Sequence, residues 1–306
     1  MLTLIVAGFA SLRAQEAVNP EAPIQSTFQS NGLQLRYSVL GHGTPVLLLA
    51  GGPGLDAGYM MPLARIVARE HTAIVLDQRG TDGSMPKVVN AETVNLNLYL
   101  ADYEALRRKL GYVRWTVLGH SFGSYFAMNY AIRYPDAVYR MLLTGTVPPT
   151  WEMASHFQET LLSRLTAEQR LQYEAFNKAE EKATDDASKD RLDTAAGDII
   201  ANSAYFFDQQ KAAAFSASSP ESEAHVRTGD LLFREAKNYD LRSPLAKVQI
   251  PVLILQGRQD PLDLGMAGAT RDAISTAKLV VVERSGHFGW LEQPEFYNKA
   301  LLEFLR

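Results

Sequence analysis

Residues 115–124 read Trp-Thr-Val-Leu-Gly-His-Ser-Phe-Gly-Ser. Trp115 to Leu118 is a short buried strand by its apolar character. Gly119-His120-Ser121-Phe122-Gly123 follows without a spacer, and Tyr125, Ala127, Met128, Ala131 and Ile132 then recur at helical spacing. The pattern Gly-x-Ser-x-Gly thus lies between a strand and a helix, the context in which it carries chemistry. A serine on so tight a turn takes a strained backbone conformation. Side chains two positions before and after it would collide with neighbouring backbone, so both positions are glycine. The turn lifts the hydroxyl clear of the sheet and aims the free N–H groups of the helix N-terminus at the same point. Ser121 is therefore the candidate nucleophile.

Upstream, Leu33, Leu35, Tyr37 and Val39 alternate as in a half-buried strand. Pro45 to Ala50 is a continuous apolar run, as expected of a parallel strand covered on both faces. Gly51-Gly52-Pro53-Gly54 ends it. Met60 to Glu70 reads as a helix, Thr72 to Asp77 as a buried strand, and Thr93 to Leu110 as a long amphipathic helix closed by Gly111. Downstream, Tyr139 to Leu143, Ile250 to Gln256 and Leu279 to Val282 read as strands, and Gly265 to Ser275 and Pro294 to Leu305 as helices. Alternating strands and helices imply an α/β fold with a mostly parallel, doubly covered sheet. The rhythm breaks over residues 147–245, which are helical, charged and Ala-rich. Residues 23–146 and 246–306 then form one core, with 147–245 inserted as a helical cap. The run Ala179 to Asp190 reads as a solvated helix face.

The 306 residues allow one large domain with an insertion, and a net charge of −4 offers no basic surface for nucleic acid. There are no cysteines, which removes disulfides and thiolate nucleophiles. No run of 18 apolar residues is present, so stable membrane insertion is not expected. Residues 1–22 read as a leader outside the fold. Leu2 to Ala10 is apolar and small residues follow, as in a secretory signal, although no Lys or Arg precedes the run. If Met1–Ala14 is a signal, the protein is exported, periplasmic or secreted; otherwise it is cytoplasmic.

A serine hydroxyl needs a base to take its proton and a third group to orient that base. Asp260 in Gly257-Arg258-Gln259-Asp260 and His287 in Ser285-Gly286-His287 each follow an apolar strand. Active groups of open α/β sheets gather at the carboxyl ends of strands. Of six histidines, only His287 follows the last strand. Asp260 is the preferred acid, with Asp136 and Asp263 as competitors. The order Ser121, Asp260, His287 is that of the α/β-hydrolase fold. Two backbone N–H groups must meet the oxyanion. Phe122 supplies one, and Gly52, where glycine permits close approach, is chosen for the other. No metal or cofactor is called for.

Gly51-Gly52-Pro53-Gly54, Asp77-Gln78-Arg79-Gly80, the elbow around Ser121 and Gly257-Arg258-Gln259-Asp260 resemble the proline iminopeptidase (prolyl aminopeptidase) branch of the α/β-hydrolase-fold serine hydrolases. The resemblance covers roughly residues 32–145 and 248–306. It departs from the family pattern at Ala50, where a His is usual, at Asp82, where a Gly is usual, in the elbow, where Gly-Gly-Ser-Trp-Gly is frequent and this chain has the generic Gly-His-Ser-Phe-Gly, and in the cap. It implies release of N-terminal residues from short peptides or amides. The alternatives are a carboxylesterase or lactonase acting on small neutral esters, or a non-hydrolytic receptor for a small molecule on the same fold. In the cap, Trp151, Tyr205, Phe206 and Phe207 are expected to wall the substrate pocket, with Phe288 and Trp290 closing it from the core. An aminopeptidase must pair the α-ammonium of its substrate with a carboxylate. Glu152 and Asp208, each beside an aromatic residue, lead Glu174 and Glu223 as candidates.

Overall fold

Eight strands form one sheet in the order β1-β2-β4-β3-β5-β6-β7-β8 in the computed structural model, which describes residues 22–216 and 224–306. The strands are β1 (Ile24–Ser30), β2 (Leu33–Leu40), β3 (Pro45–Leu49), β4 (Thr72–Leu76), β5 (Trp115–His120), β6 (Val138–Thr144), β7 (Val252–Gly257) and β8 (Ala277–Val282). The β1–β2 and β2–β4 pairs are antiparallel, and β4, β3, β5, β6, β7 and β8 pair in parallel. The leader assigned to residues 1–22 lies, up to residue 21, outside the described residues, as does Glu223.

Period-2 alternation splits each central strand between two cores. Leu47, Leu49, Val117, Met141, Leu143 and Ile254 face one side, where helices α2 (Leu96–Lys109) and α3 (Phe122–Arg133) pack; α1 (Met61–Val67) lies on the other. Val46, Leu48, Leu118, Leu142, Leu253 and Leu255 face that side, in one core with Leu63 and Val67 of α1 and with Trp290, Tyr297 and Leu301 near the C-terminus. The continuous apolar runs of these strands are the direct result. β1 had no apolar signature because four of its seven residues in a row are exposed on the sheet edge.

The segment 147–245 contributes α4 (Trp151–Ala154), α5 (Phe157–Ser163), α6 (Ala167–Glu180), α7 (Asp186–Ser203), α8 (Gln209–Ser216), α9 (Ala224–Glu235) and α10 (Arg242–Leu245). A single bridge, Thr150 to Asp240, closes its two ends. The run Ala179 to Asp190 is not one helix face. It contains the turn between α6 and α7, where the Asp185 carboxylate accepts from Ser188 N at 2.8 Å and starts a new helix. The core then closes with α11 (Leu264–Ala273), α12 (Gly289–Glu292) and α13 (Pro294–Leu305). No helix of the described residues is long and apolar enough to cross a membrane.

The loop after β4 is fixed by charge. Arg79 and Asp102 form a bidentate pair, with Nε to Oδ2 and Nη2 to Oδ1 both at 2.8 Å, and both side chains are almost fully buried. Arg79 Nη2 also donates to Ser30 O at 3.1 Å, and Tyr99 donates its hydroxyl to Arg79 O. One guanidinium therefore joins β1, α2 and the loop after β4. Asp102→Ala leaves that cation buried and unpaired, and the expected loss is about 3–5 kcal/mol. The urea midpoint at unchanged m-value reads it. A loss below about 1 kcal/mol, as for a surface pair, contradicts the assignment.

Candidate active site

Ser121 sits between β5 and α3 at φ 56° and ψ −129°. A non-glycine residue at positive φ costs roughly 1–3 kcal/mol and persists only where its surroundings enforce it. They do so here by close approach. A Cβ on Gly119 would fall on Gly123 O, and one on Gly123 would fall on Leu49 O. Hydrogen bonds lock the turn further: Ser121 N donates to Thr144 O at 3.0 Å, and Ser124 Oγ donates to Ser121 O at 2.6 Å. Ser124 Oγ in turn accepts from Val147 N at 3.0 Å, tying the turn to the start of the insertion. His120 and Phe122 are buried, while Ser121 between them is partly open to solvent.

His287 and Asp260 come together from loops after β8 and β7. His287 Nδ1 lies 2.9 Å from Asp260 Oδ2 and 3.0 Å from Oδ1, and Asp260 is 0% exposed. An ionised carboxylate only accepts, so the shared proton belongs to Nδ1 and Nε2 keeps its lone pair. Leu262 N donates to Asp260 Oδ1 at 2.8 Å, and Arg164 Nη2, from the insertion, donates to Asp260 O at 2.8 Å. The competing acids are placed elsewhere. Asp136 is fully exposed and 4.0 Å from Arg114, and Asp263 caps α11 through Met266 N at 2.9 Å.

His120, inside the elbow, links three loops. Its Nε2 lies 3.1 Å from His287 O, its Nδ1 lies 2.9 Å from Tyr59 Oη, and Gly51 N donates to Tyr59 Oη at 2.6 Å. A carbonyl only accepts, so His120 Nε2 carries the proton and Nδ1 accepts from Tyr59. Burial, then the neighbouring His287, hold His120 well below the usual imidazole value, and burial raises Tyr59 above the usual phenol value. Both are neutral, and every donor in this chain has an acceptor. Gly51 N–H is thereby committed to Tyr59, whereas Gly52 N–H has no acceptor among the described residues. Phe122 N–H is the first of α3 and has no intrahelical acceptor. The Ser121 hydroxyl makes no hydrogen bond among the described residues; contacts between nucleophile and base are often loose before substrate arrives.

The expected pocket residues divide. Phe206, Phe288 and Trp290 are buried members of one core cluster. Phe206 stacks on Phe288 at 4.9 Å, and Phe288 and Trp290 lie 5.3 and 4.8 Å from the His120 ring. Tyr205 packs on His287 itself at 4.9 Å. Trp151 is placed against Tyr239 at 6.3 Å, and Tyr239 against Tyr125 of α3 at 4.9 Å. Phe207 is 42% exposed beneath Arg284, in an outward cavity of about 490 Å³ shared with Asp208 and Lys211. Asp208 caps α8 through Gln210 N at 3.0 Å. Glu152 is exposed, and Glu174 pairs with Arg170 at 3.1 Å. From above, Thr228 of α9 donates to Gly80 O at 2.8 Å, Gly229 abuts Pro53 O, and Phe233 packs on Phe122 at 5.2 Å.

Two glycines give room to the side chains of Ser121, His287 and Asp260. A Cβ on Gly145, at φ +51°, would lie 2.7 Å from His287 Nδ1 and 3.1 Å from Asp260 Oδ2. One on Gly51 would lie 2.6 Å from Ser121 Cβ. Gly145→Ala is therefore expected to displace the His287 ring and lower kcat by about 10²-fold, the usual cost of a misplacement near 1 Å; wild-type kcat contradicts it. His120 is expected to keep its neutral ring shifts by NMR through pH 6.5, the ordinary imidazole value. Because its folded value is depressed, its contribution to stability is present above that pH and declines below it. A titration of His120 near pH 6.5 contradicts the tautomer assignment.

Residues 44–294 match the family described as alpha/beta hydrolase fold. An AB hydrolase superfamily protein, YclE, from Bacillus subtilis is 27% identical over 90% of this chain and 96% of its own. A proline iminopeptidase from Saccharolobus solfataricus is 24% identical over 94% of this chain and 93% of its own. The crystal structure of proline iminopeptidase from Mycobacterium smegmatis superposes with a TM-score of 0.73 at 21% identity, over 92% of this chain and 97% of that one. The chain belongs to the α/β-hydrolase fold family and is a hydrolase related to the proline iminopeptidase branch.

Proposed function

We propose that the protein is a serine hydrolase that works through an acyl-enzyme on Ser121. The buried Asp260–His287 hydrogen bond, at the same sheet end as the strained Ser121, carries this reading. His287 Nε2 takes the Ser121 proton as Oγ attacks the substrate carbonyl, and Asp260 holds the imidazole in the required tautomer. The oxyanion meets the N–H groups of Phe122 and Gly52. His287 then returns the proton to the leaving group, and a water repeats the sequence to release the acid.

The substrate we favour is a small neutral ester or lactone. Of the cap acids suited to hold a substrate ammonium, Asp208 caps the α8 N-terminus, Glu174 pairs with Arg170, and Glu152 is exposed. A second reading, release of N-terminal residues from short peptides, is favoured by the names of the relatives above.

Ser121→Ala and His287→Ala are expected to lower kcat by roughly 10⁴ to 10⁶. Asp260→Asn, which spoils the tautomer, is expected to cost about 10⁴. Near-normal turnover by Ser121→Ala sinks the mechanism. On a panel of short-chain aryl esters and prolyl arylamides, kcat/KM is expected to favour esters by at least about tenfold, one ionic contact's worth of binding. The reverse order establishes the second reading.

A further inference from the structure

His287 is fastened to the cap as firmly as to the core. Its N–H donates to Tyr205 O at 2.7 Å, and its carbonyl accepts from His120. Gly286 lies so close beneath Tyr205 that a Cβ would fall on the Tyr205 carbonyl oxygen. Beside them stands Glu292, at the end of α12 and 4% exposed. Its Oε1 accepts from Phe207 N and Asp208 N, both at 2.8 Å. Its Oε2 accepts from Gly286 N at 2.6 Å, with Ser285 Oγ at 3.5 Å. Lys211 Nζ, from α8, donates to the carbonyls of Leu291 and Glu292 at 3.0 and 2.9 Å.

A buried carboxylate is costly unless its lone pairs are filled. Here they are filled from both sides of the boundary between the strap 205–208 and the loop carrying His287. Nothing in acyl transfer itself uses this acid. We infer that Glu292 is a positioning residue that clasps the cap strap to the His287 loop, so that the base is aligned only while the strap is seated. This inference deepens the serine-hydrolase reading and rests on it.

Two features make the clasp specific. All its strap donors are backbone N–H groups, so side-chain changes at 207 and 208 leave it intact. And both carboxylate oxygens face donors, so no orientation of a carboxamide satisfies them: its NH₂ must meet an N–H on one side. Glu292→Gln therefore opens one half of the clasp at nearly constant volume. Reacting groups need alignment within about 0.5 Å, and a shift near 1 Å costs about 10² in rate.

The test uses a fluorophosphonate probe and the full chain. Folded Glu292→Gln, checked by circular dichroism, is expected to label about 10- to 100-fold more slowly than the wild type, with kcat for an aryl ester falling far more than KM changes. A residue that only stabilised the fold would lower the melting temperature and leave the labelling rate of folded protein unchanged; that result overturns the proposal. In the wild type, amide exchange by NMR is expected to show Phe207, Asp208, Gly286 and His287 opening at a common rate. Separate rates for the strap and the His287 loop also overturn it, and this measurement decides if the variant fails to fold. A wild type that the probe does not label sinks the serine-hydrolase reading instead, and leaves the exchange test standing.

Discussion

A serine held at φ 56° and ψ −129° is unstable on its own, and the structure around it is arranged to prevent its relaxation. The β3–β5 and β5–β6 pairs set the distances at which Gly119 and Gly123 lack room for a side chain. Ser124 and Thr144 then clamp the turn from its two sides. The same clamp continues through Ser124 Oγ to Val147 N, where the chain leaves the core for the insertion. Local strain at one residue therefore depends on packing contributed by three strands, one helix and the root of the cap.

That dependence explains what the sequence made legible. Continuous apolar runs revealed the central strands because helices cover both faces, and the elbow was legible because its constraint is local: five consecutive residues and the elements on either side. Asp260 and His287 could be singled out because each follows a strand at the sheet end where loops converge. Their mutual contact spans 27 residues and only the fold supplies it. Edge strand β1, exposed along most of its length, had no comparable pattern.

The rest was hidden because it consists of contacts between residues far apart in the chain. Tyr59 reaches His120 across 61 positions, and Gly145 matters only because His287 lies against it. Glu292 looks like any acid in a short amphipathic helix until Gly286 and the strap deliver their N–H groups to it. Aromatic residues misled in a different way. Adjacent Phe206 and Phe207 carry the same side chain, yet one fills the core and the other is exposed beneath Arg284. Composition alone does not separate a pocket wall from core filling.

The cap is thus part of the site rather than a cover laid over it. It supplies the acceptor for His287 N–H, the donor to Asp260 O, and a ring against the imidazole. The event we propose for this site is transfer of an acyl group to Ser121 Oγ. The most direct test is mass spectrometry of protein quenched during turnover of a slow aryl ester. An added acyl mass is expected on the peptide that carries Ser121, present in the wild type and absent from Ser121→Ala. Turnover with no acyl mass on that peptide, or with the mass on another residue, contradicts it.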